Sequence, residues 1–230
     1  ETYSPYLDRD LSDICVFDGG DLELPFGNTE RALKDIEEYV SKIMADGKKP
    51  FMIGGEHLVT LGAVRAAVKR YPGLHIIHFD AHADLRDDYL GEKLSHATVM
   101  RRCWELVGDG RIYQFGIRSG DREEFRWAEG HVIMYKFDLS GIGEVIEKLH
   151  NKPVYLTIDL DVLDPSVFPG TGTPEAGGVS FRELQSAIGK VSRLNIIGAD
   201  MNELSPIYDQ SGASTALACK LVREILLQIY

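Results

Sequence analysis

The chain has 230 residues, 44% hydrophobic and 27% charged, the composition of an ordinary globular protein long enough to bury a sizeable core. Its formal charge of −11 disfavours nucleic-acid backbones and anionic membrane surfaces as partners and suits a small cationic substrate. Cys15, Cys103 and Cys219 are odd in number and lack metal-ligand spacing, so a reducing, cytoplasmic setting is expected, and no apolar run reaches transmembrane length.

The first thirteen residues are polar, contain no Met and enter midway through a pattern, so an N-terminal portion is expected to be missing. Ile14-Cys15-Val16-Phe17 reads as a short strand ending in the turn Asp18-Gly19-Gly20-Asp21. Asn28 caps a predicted helix over 29–46, where Leu33, Ile36, Val40, Ile43 and Met44 recur at three- and four-residue spacing. A strand over 50–53 runs into Gly54-Gly55-Glu56-His57 and a helix to about 70. Strand 74–79 and a polar loop to 95 precede a helix over 96–106. Strand 112–117, helix 121–128, strand 131–135, helix 142–149 and strand 154–158 follow. A Pro-, Gly- and Thr-rich loop over 165–178 leads to Ser180-Phe181-Arg182-Glu183, a capping box that opens a helix to about 192. Strand 195–198 and a closing amphipathic helix over 213–230 complete the chain. Strands alternating with helices predict an α/β fold with a mostly parallel sheet covered on both faces, and 1–230 reads as a single domain.

Four predicted strand ends carry carboxylates or imidazoles. They are Glu56-His57; Asp80, His82 and Asp84; Asp159, Asp161 and Asp164; and Asp200 and Glu203. Parallel strands would bring these ends to one edge of the sheet, where open α/β sheets bind ligands. Gathering Asp80, Asp84, Asp159 and Asp161 without a cation would cost several kcal/mol in repulsion and desolvation. Two divalent ions offset all four charges, and with His57 and His82 the set provides six ligands. That describes a two-metal hydrolase, in which hydroxide becomes available near neutral pH. Oxygen-rich ligands with one imidazole per ion and no thiolate suit Mn(II), with Zn(II), Co(II) and Fe(II) also compatible.

Gly54-Gly55-Glu56-His57, Asp80-Ala81-His82-Ala83-Asp84 and Asp159-Leu160-Asp161-Val162-Leu163-Asp164-Pro165 resemble, in order and spacing, the three metal signatures of the ureohydrolases, the arginase and agmatinase family. The resemblance implies a three-layer α/β/α arginase-like fold, two Mn(II) ions per subunit, hydrolysis of a guanidino group to an amine and urea, and a homo-oligomer, trimer or hexamer. It assigns His57, Asp80, Asp84 and Asp159 to one ion and Asp80, His82, Asp159 and Asp161 to the other, with Asp80 and Asp159 bridging. It also implies that Glu203 pairs with the substrate guanidinium, that Asp200 supports it, and that His96 shuttles the proton to the leaving amine. Glu56 departs from the Asp often found before the metal-ligating His.

The loop from Leu85 to His96, the segment Pro169-Gly170-Thr171-Gly172-Thr173 and the Ser4–Asp8 start resemble those of bacterial agmatinases. Agmatine, cleaved to putrescine and urea for polyamine biosynthesis, is therefore the expected substrate, with Asp87, Asp88, Glu92 or Asp121 receiving or steering its distal ammonium. The alternatives are guanidinobutyrate or another guanidine, a zinc-dependent deacetylase-like hydrolase using one ion, and a non-catalytic metal-binding member. Other polar residues have plainer readings. His75, His131 and His150 are expected to be structural or solvent-facing, and Asp164 to fix a turn. His78 either packs or orients a ligand, Asp121 either caps a helix or touches substrate, and Arg118 either pairs with an acid or lines the rim.

Overall fold

The computed structural model describes residues 1–230. A two-residue antiparallel pair, β1 (Tyr3–Ser4) and β2 (Arg9–Asp10), opens the chain, followed by α1 (Thr29–Ala45) and β3 (Phe51–Ile53). Next come α2 (Val59–Arg70), β4 (His75–Phe79), α3 (Val99–Val107), β5 (Ile112–Ile117), α4 (Arg122–Ala128) and β6 (Ile133–Lys136). The remainder is α5 (Ile142–Lys148), β7 (Pro153–Asp159), α6 (Phe181–Val191), β8 (Asn195–Asn202) and α7 (Ala213–Ile229). Strands β3 to β8 form one six-stranded sheet in the order β3-β8-β7-β4-β5-β6, with every pairing parallel.

Two apolar layers sandwich this sheet. Ile77, Phe79, Leu156 and Ile158 pack with side chains of α5, α6 and α7, while Ile76, Tyr155 and Ile197 pack with those of α1, α2 and α3. Successive strand residues point to opposite faces, so the alternation also sorts the polar residues. His78, Thr157 and Asp200 share the α1–α3 side and are fully buried there. The three-layer α/β architecture follows from that double burial, since a parallel sheet with apolar residues on both faces must be covered on both.

Three elements differ from the expected ones by more than a two-residue shift at an end. Ile14–Phe17 forms no strand; Phe17 is 90% exposed, and the run has no neighbouring strand to supply ladder hydrogen bonds. Strand β8 continues to Asn202, because Asp200 and Met201 stay paired with both β7 and β3 and Asn202 with β7. The helix expected from His96 begins as a 3₁₀ turn, His96–Thr98, closed by a capping box between Ser95 and Thr98.

Leu156 lies in a central strand and is fully buried, so Leu156→Ala should cost about 2–5 kcal/mol of unfolding free energy in a denaturant titration. Phe17→Ser, at an exposed site without a strand partner, should shift it by no more than about 0.5 kcal/mol.

Candidate metal centre and active-site cleft

The strand order places the C-terminal ends of β3, β8, β7 and β4 side by side. Glu56 and His57 follow β3, Glu203 follows β8, Asp159 ends β7 with Asp161 in the 3₁₀ turn beyond it, and Asp80, His82 and Asp84 follow β4. The turn after β3 depends on Gly54, where a Cβ would fall 2.2 Å from Asn202 Oδ1 and 2.6 Å from Val59 Cγ2.

His57 Nδ1 is buried without a hydrogen-bond partner, and three carboxylate oxygens surround it. Asp80 Oδ2 and Asp84 Oδ2 are each 3.1 Å away and Asp159 Oδ2 is 3.4 Å away. The opposite nitrogen, Nε2, lies 2.9 Å from Thr157 Oγ1. A second group forms around His82, whose Nδ1 is 2.9 Å from Asp161 Oδ2 and 3.5 Å from Asp80 Oδ1. The two groups meet at Asp80, with one oxygen toward each imidazole. Asp159 turns its Oδ2 to the imidazole of His57, while its Oδ1 accepts the Asp161 N–H at 2.9 Å.

A lone nitrogen pair among three carboxylates is tolerable only with a cation between them, either a proton or a metal ion. The ion-free protein uses protons. Burial and the neighbouring Asp80 charge push Asp84 up to about 8 and Asp161 up to about 6. Burial acts against charging His82, yet hydrogen bonds to Asp161 and Asp80 outweigh it and raise the imidazole to about 11. This donor set, imidazole nitrogens and carboxylate oxygens converging in a buried pocket, fits divalent metal ions.

The clustered imidazoles and carboxylates are oriented from below by polar residues that interrupt otherwise apolar strands. Gln114 on β5 donates to His78 Nδ1 at 3.0 Å and to the Ala83 carbonyl at 2.7 Å. That bond makes Nδ1 the acceptor, so the His78 Nε2–H donates to Asp80 Oδ2 at 2.8 Å. On the other side, Thr157 contacts Thr60 at 3.3 Å, Asn202 donates to Thr60 at 3.1 Å and to Asp200 at 2.8 Å, and the Tyr155 hydroxyl donates to Asp200 at 2.8 Å. Asp200 therefore requires correction as a substrate-binding candidate. It is fully buried within this network beneath the centre, where burial raises its carboxyl pKa, and it does not line the cleft.

Above the imidazoles opens a cleft of about 460 Å³. Glu203 lines it from a left-handed backbone position, φ 67°, held by its N–H to the Gly55 carbonyl. Its Oε1 accepts the His57 N–H at 2.8 Å, while Oε2 faces Gly172. His96 stands half-exposed at the mouth, edge-on to Tyr89 at 5.6 Å and with Nδ1 3.6 Å from Glu56 Oε2. Desolvation raises the Glu56 carboxyl pKa, with His96 opposing and Glu203 adding to the rise.

Asp121 is the N-cap of α4 and also lines the cleft. Its Oδ1 caps α4 through the N–H groups of Glu123 and Glu124, and its Oδ2 faces the cleft residue Arg86 at 3.7 Å. Asp87, Asp88 and Glu92 lie outside the cleft wall. Asp87 pairs with Arg102, and Asp88 and Glu92 belong to the turn around Gly91. Asp164 is a turn residue, pulled down to about 2 by hydrogen bonds from Ser166 and the backbone of Gly177 and Gly178. Arg86 was not singled out from the sequence. Its Nε contacts Glu124 at 3.3 Å and its guanidinium covers the Tyr89 ring at 5.1 Å, a placement no local pattern encodes.

A family model described as the arginase family matches residues 1–228. The chain belongs to the arginase family. Agmatinases of Bacillus anthracis and Bacillus subtilis are 53% and 52% identical to it, each over 99% of this chain and 80% of the relative. A solved structure from Clostridium difficile, provisionally described as an agmatinase, superposes with a TM-score of 0.97 at 53% identity, over 100% of this chain and 84% of its own. This arginase-family chain is accordingly a hydrolase of the ureohydrolase class, acting on guanidino groups. No helix in it is long and apolar enough to cross a membrane.

The raised carboxyls and imidazoles set the pH behaviour of the centre. A group whose folded pKa exceeds its unfolded one stabilises the fold at low pH and loses that contribution as pH rises through the folded value. Asp161 near 6, Asp84 near 8 and His82 near 11 all act in this direction, so the ion-free protein should lose stability as pH rises, through the two carboxyls from about pH 4 and through His82 from about pH 6.5. Metal ions displace those protons. The gap in melting temperature between Mn(II)-loaded and chelated protein should therefore widen between pH 6 and pH 8. Differential scanning fluorimetry measures it, and a gap that stays absent or narrows would contradict the assignment.

Proposed function

We propose that this hydrolase cleaves agmatine to putrescine and urea with two Mn(II) ions. The observation that carries the two-ion reading is Asp80, whose oxygens turn to separate imidazole-carboxylate groups. His57, Asp80, Asp84 and Asp159 would hold one ion and Asp80, His82 and Asp161 the other; the family resemblance assigns Asp159 to the second as well. Bound there, divalent ions neutralise the carboxylates and lower the pKa of water enough to supply a nucleophile near neutral pH.

The remaining chemistry belongs to the cleft. Glu203 orients the guanidinium through its cleft-facing Oε2, a charge-assisted contact, while the His57 N–H keeps the carboxylate aimed. His96 has one ring nitrogen turned to Glu56 and the other available to protonate the departing amine, a general-acid task for which an imidazole N–H is suited. Agmatine is cationic at both ends, and Glu56, Asp121 and Glu203 make the cleft acidic, with Asp121, half-exposed on the wall, the carboxylate to receive the distal ammonium. The names of the relatives at 52% and 53% identity support the same substrate. A guanidino acid is the second reading, favoured by the Arg86 cation on the wall. Glu124 already contacts that guanidinium and Asp121 faces it, which leaves less of its charge for a carboxylate.

Urea release should depend on Mn(II) and be faster from agmatine than from guanidinobutyrate or arginine in a colorimetric assay. No urea from any of the three would refute the proposal. Glu203→Gln keeps an oxygen for the His57 N–H but removes the charge. Losing about 1.5–3 kcal/mol of charge-assisted bonding predicts a fall in kcat/KM of roughly 10- to 150-fold, read from steady-state kinetics.

A further inference from the structure

Arg118, the residue after β5, fits neither of its sequence readings. Its guanidinium donates to main-chain carbonyls. Nη2 donates to Asp161 at 2.7 Å, Glu175 at 2.8 Å and Leu163 at 3.5 Å. Nη1 donates to Gly116 at 3.1 Å and Val162 at 3.3 Å, and Nε is shared between Glu175 and Ala176, both at 3.2 Å. The Arg118 backbone N–H donates to the Ala81 carbonyl at 2.8 Å, and the Ala81 N–H donates in turn to Asp161 Oδ1 at 3.0 Å. Gly178 leaves room for this arrangement, since a Cβ there would fall 2.7 Å from Nη2.

These contacts have a common direction. Ala81 lies between Asp80 and His82, and Asp161 completes the group around His82. Glu175 and Ala176 belong to the loop that brings Gly172 and Thr173 to the cleft wall. None of the bonds reaches His57, Asp84 or Asp159. A planar guanidinium with five N–H donors can span the three segments, whereas an ammonium with three donors on one atom cannot.

We propose that Arg118 is a positioning residue that sets Asp161 and the cleft-wall loop in place together. Filling of the His82-side metal site and the shape of the substrate wall are thereby coupled. The proposal rests on the two-ion reading given above, so its test counts ions independently of turnover.

The experiment is Mn(II) titration calorimetry with electron paramagnetic resonance of the bound ions, on the wild-type chain, Arg118→Lys and Arg118→Gln, with circular dichroism as the check on folding. Wild type should bind two ions per chain with a spin-coupled signal. The folded variants should keep one site and bind the second ion about 10- to 100-fold more weakly, as for other residues that orient metal ligands. A residue of merely structural importance would weaken both sites alike. Two ions bound by a variant with wild-type affinities, or equal weakening of both sites, would overturn the proposal while leaving the two-ion reading intact. One ion in wild type would overturn that reading and the proposal with it. If neither variant folds, hydrogen exchange of the wild type decides. Protection of residues 172–178 should rise with the second ion added rather than the first, and protection indifferent to the second ion would refute the coupling.

Discussion

Crowding of buried negative charge is the constraint on which this structure depends. Asp80, Asp84, Asp159 and Asp161 converge on the imidazoles of His57 and His82 in a pocket almost closed to water. Left to themselves, like charges this close must take up protons, and the raised carboxyl and imidazole pKa values show that cost. A parallel sheet supplies the geometry, because it aligns the C-terminal ends of four adjacent strands. The family's metal-dependent chemistry uses the resulting demand for cations.

The sheet beneath the centre is organised for the same purpose. His78, Gln114, Thr157, Thr60, Asn202, Asp200 and Tyr155 form buried polar contacts where apolar side chains would pack more simply. Half-satisfied polar groups are costly in an interior. Here the chain of bonds fixes which nitrogen of His78 carries its proton and aims His57 Nε2 at Thr157, leaving Nδ1 for the pocket. Asp200 anchors this network and has no access to substrate.

Backbone strain concentrates at the same place. Asp84 and Glu203 adopt left-handed φ values of 54° and 67°, conformations costing roughly 1–2 kcal/mol in residues other than glycine. Both carry carboxylates that must face the centre or the cleft. For Glu203 the cost is offset by hydrogen bonds on either side of the side chain, to Gly55 and from His57. The cleft wall above is assembled from loops, which lets specificity vary without disturbing the clustered carboxylates and imidazoles.

Most of the fold was legible because its elements are locally encoded. Apolar spacing marked α1, and a capping box marked the start of α6. Apolar runs marked the strands, and alternation with helices implied the parallel sheet. Ile14–Phe17 misled because an apolar run specifies a strand only where a neighbour can pair with it, and none lies there. Among the candidate site residues, His57, Asp80, His82, Asp84, Asp159 and Asp161 stood out through short-range spacing at strand ends. Gln114 and Thr157 were visible only as single polar residues within buried strands. What the sequence alone determined was the set of chemistry-bearing side chains and the common edge they occupy, because strand direction and two-residue alternation are local properties. Only the tertiary structure decided that Asp80 faces both imidazoles, that Asp200 lies below the centre, that Arg86 lines the cleft and that Arg118 clasps carbonyls. Those assignments depend on distances between segments far apart in the chain, set by packing across the sheet.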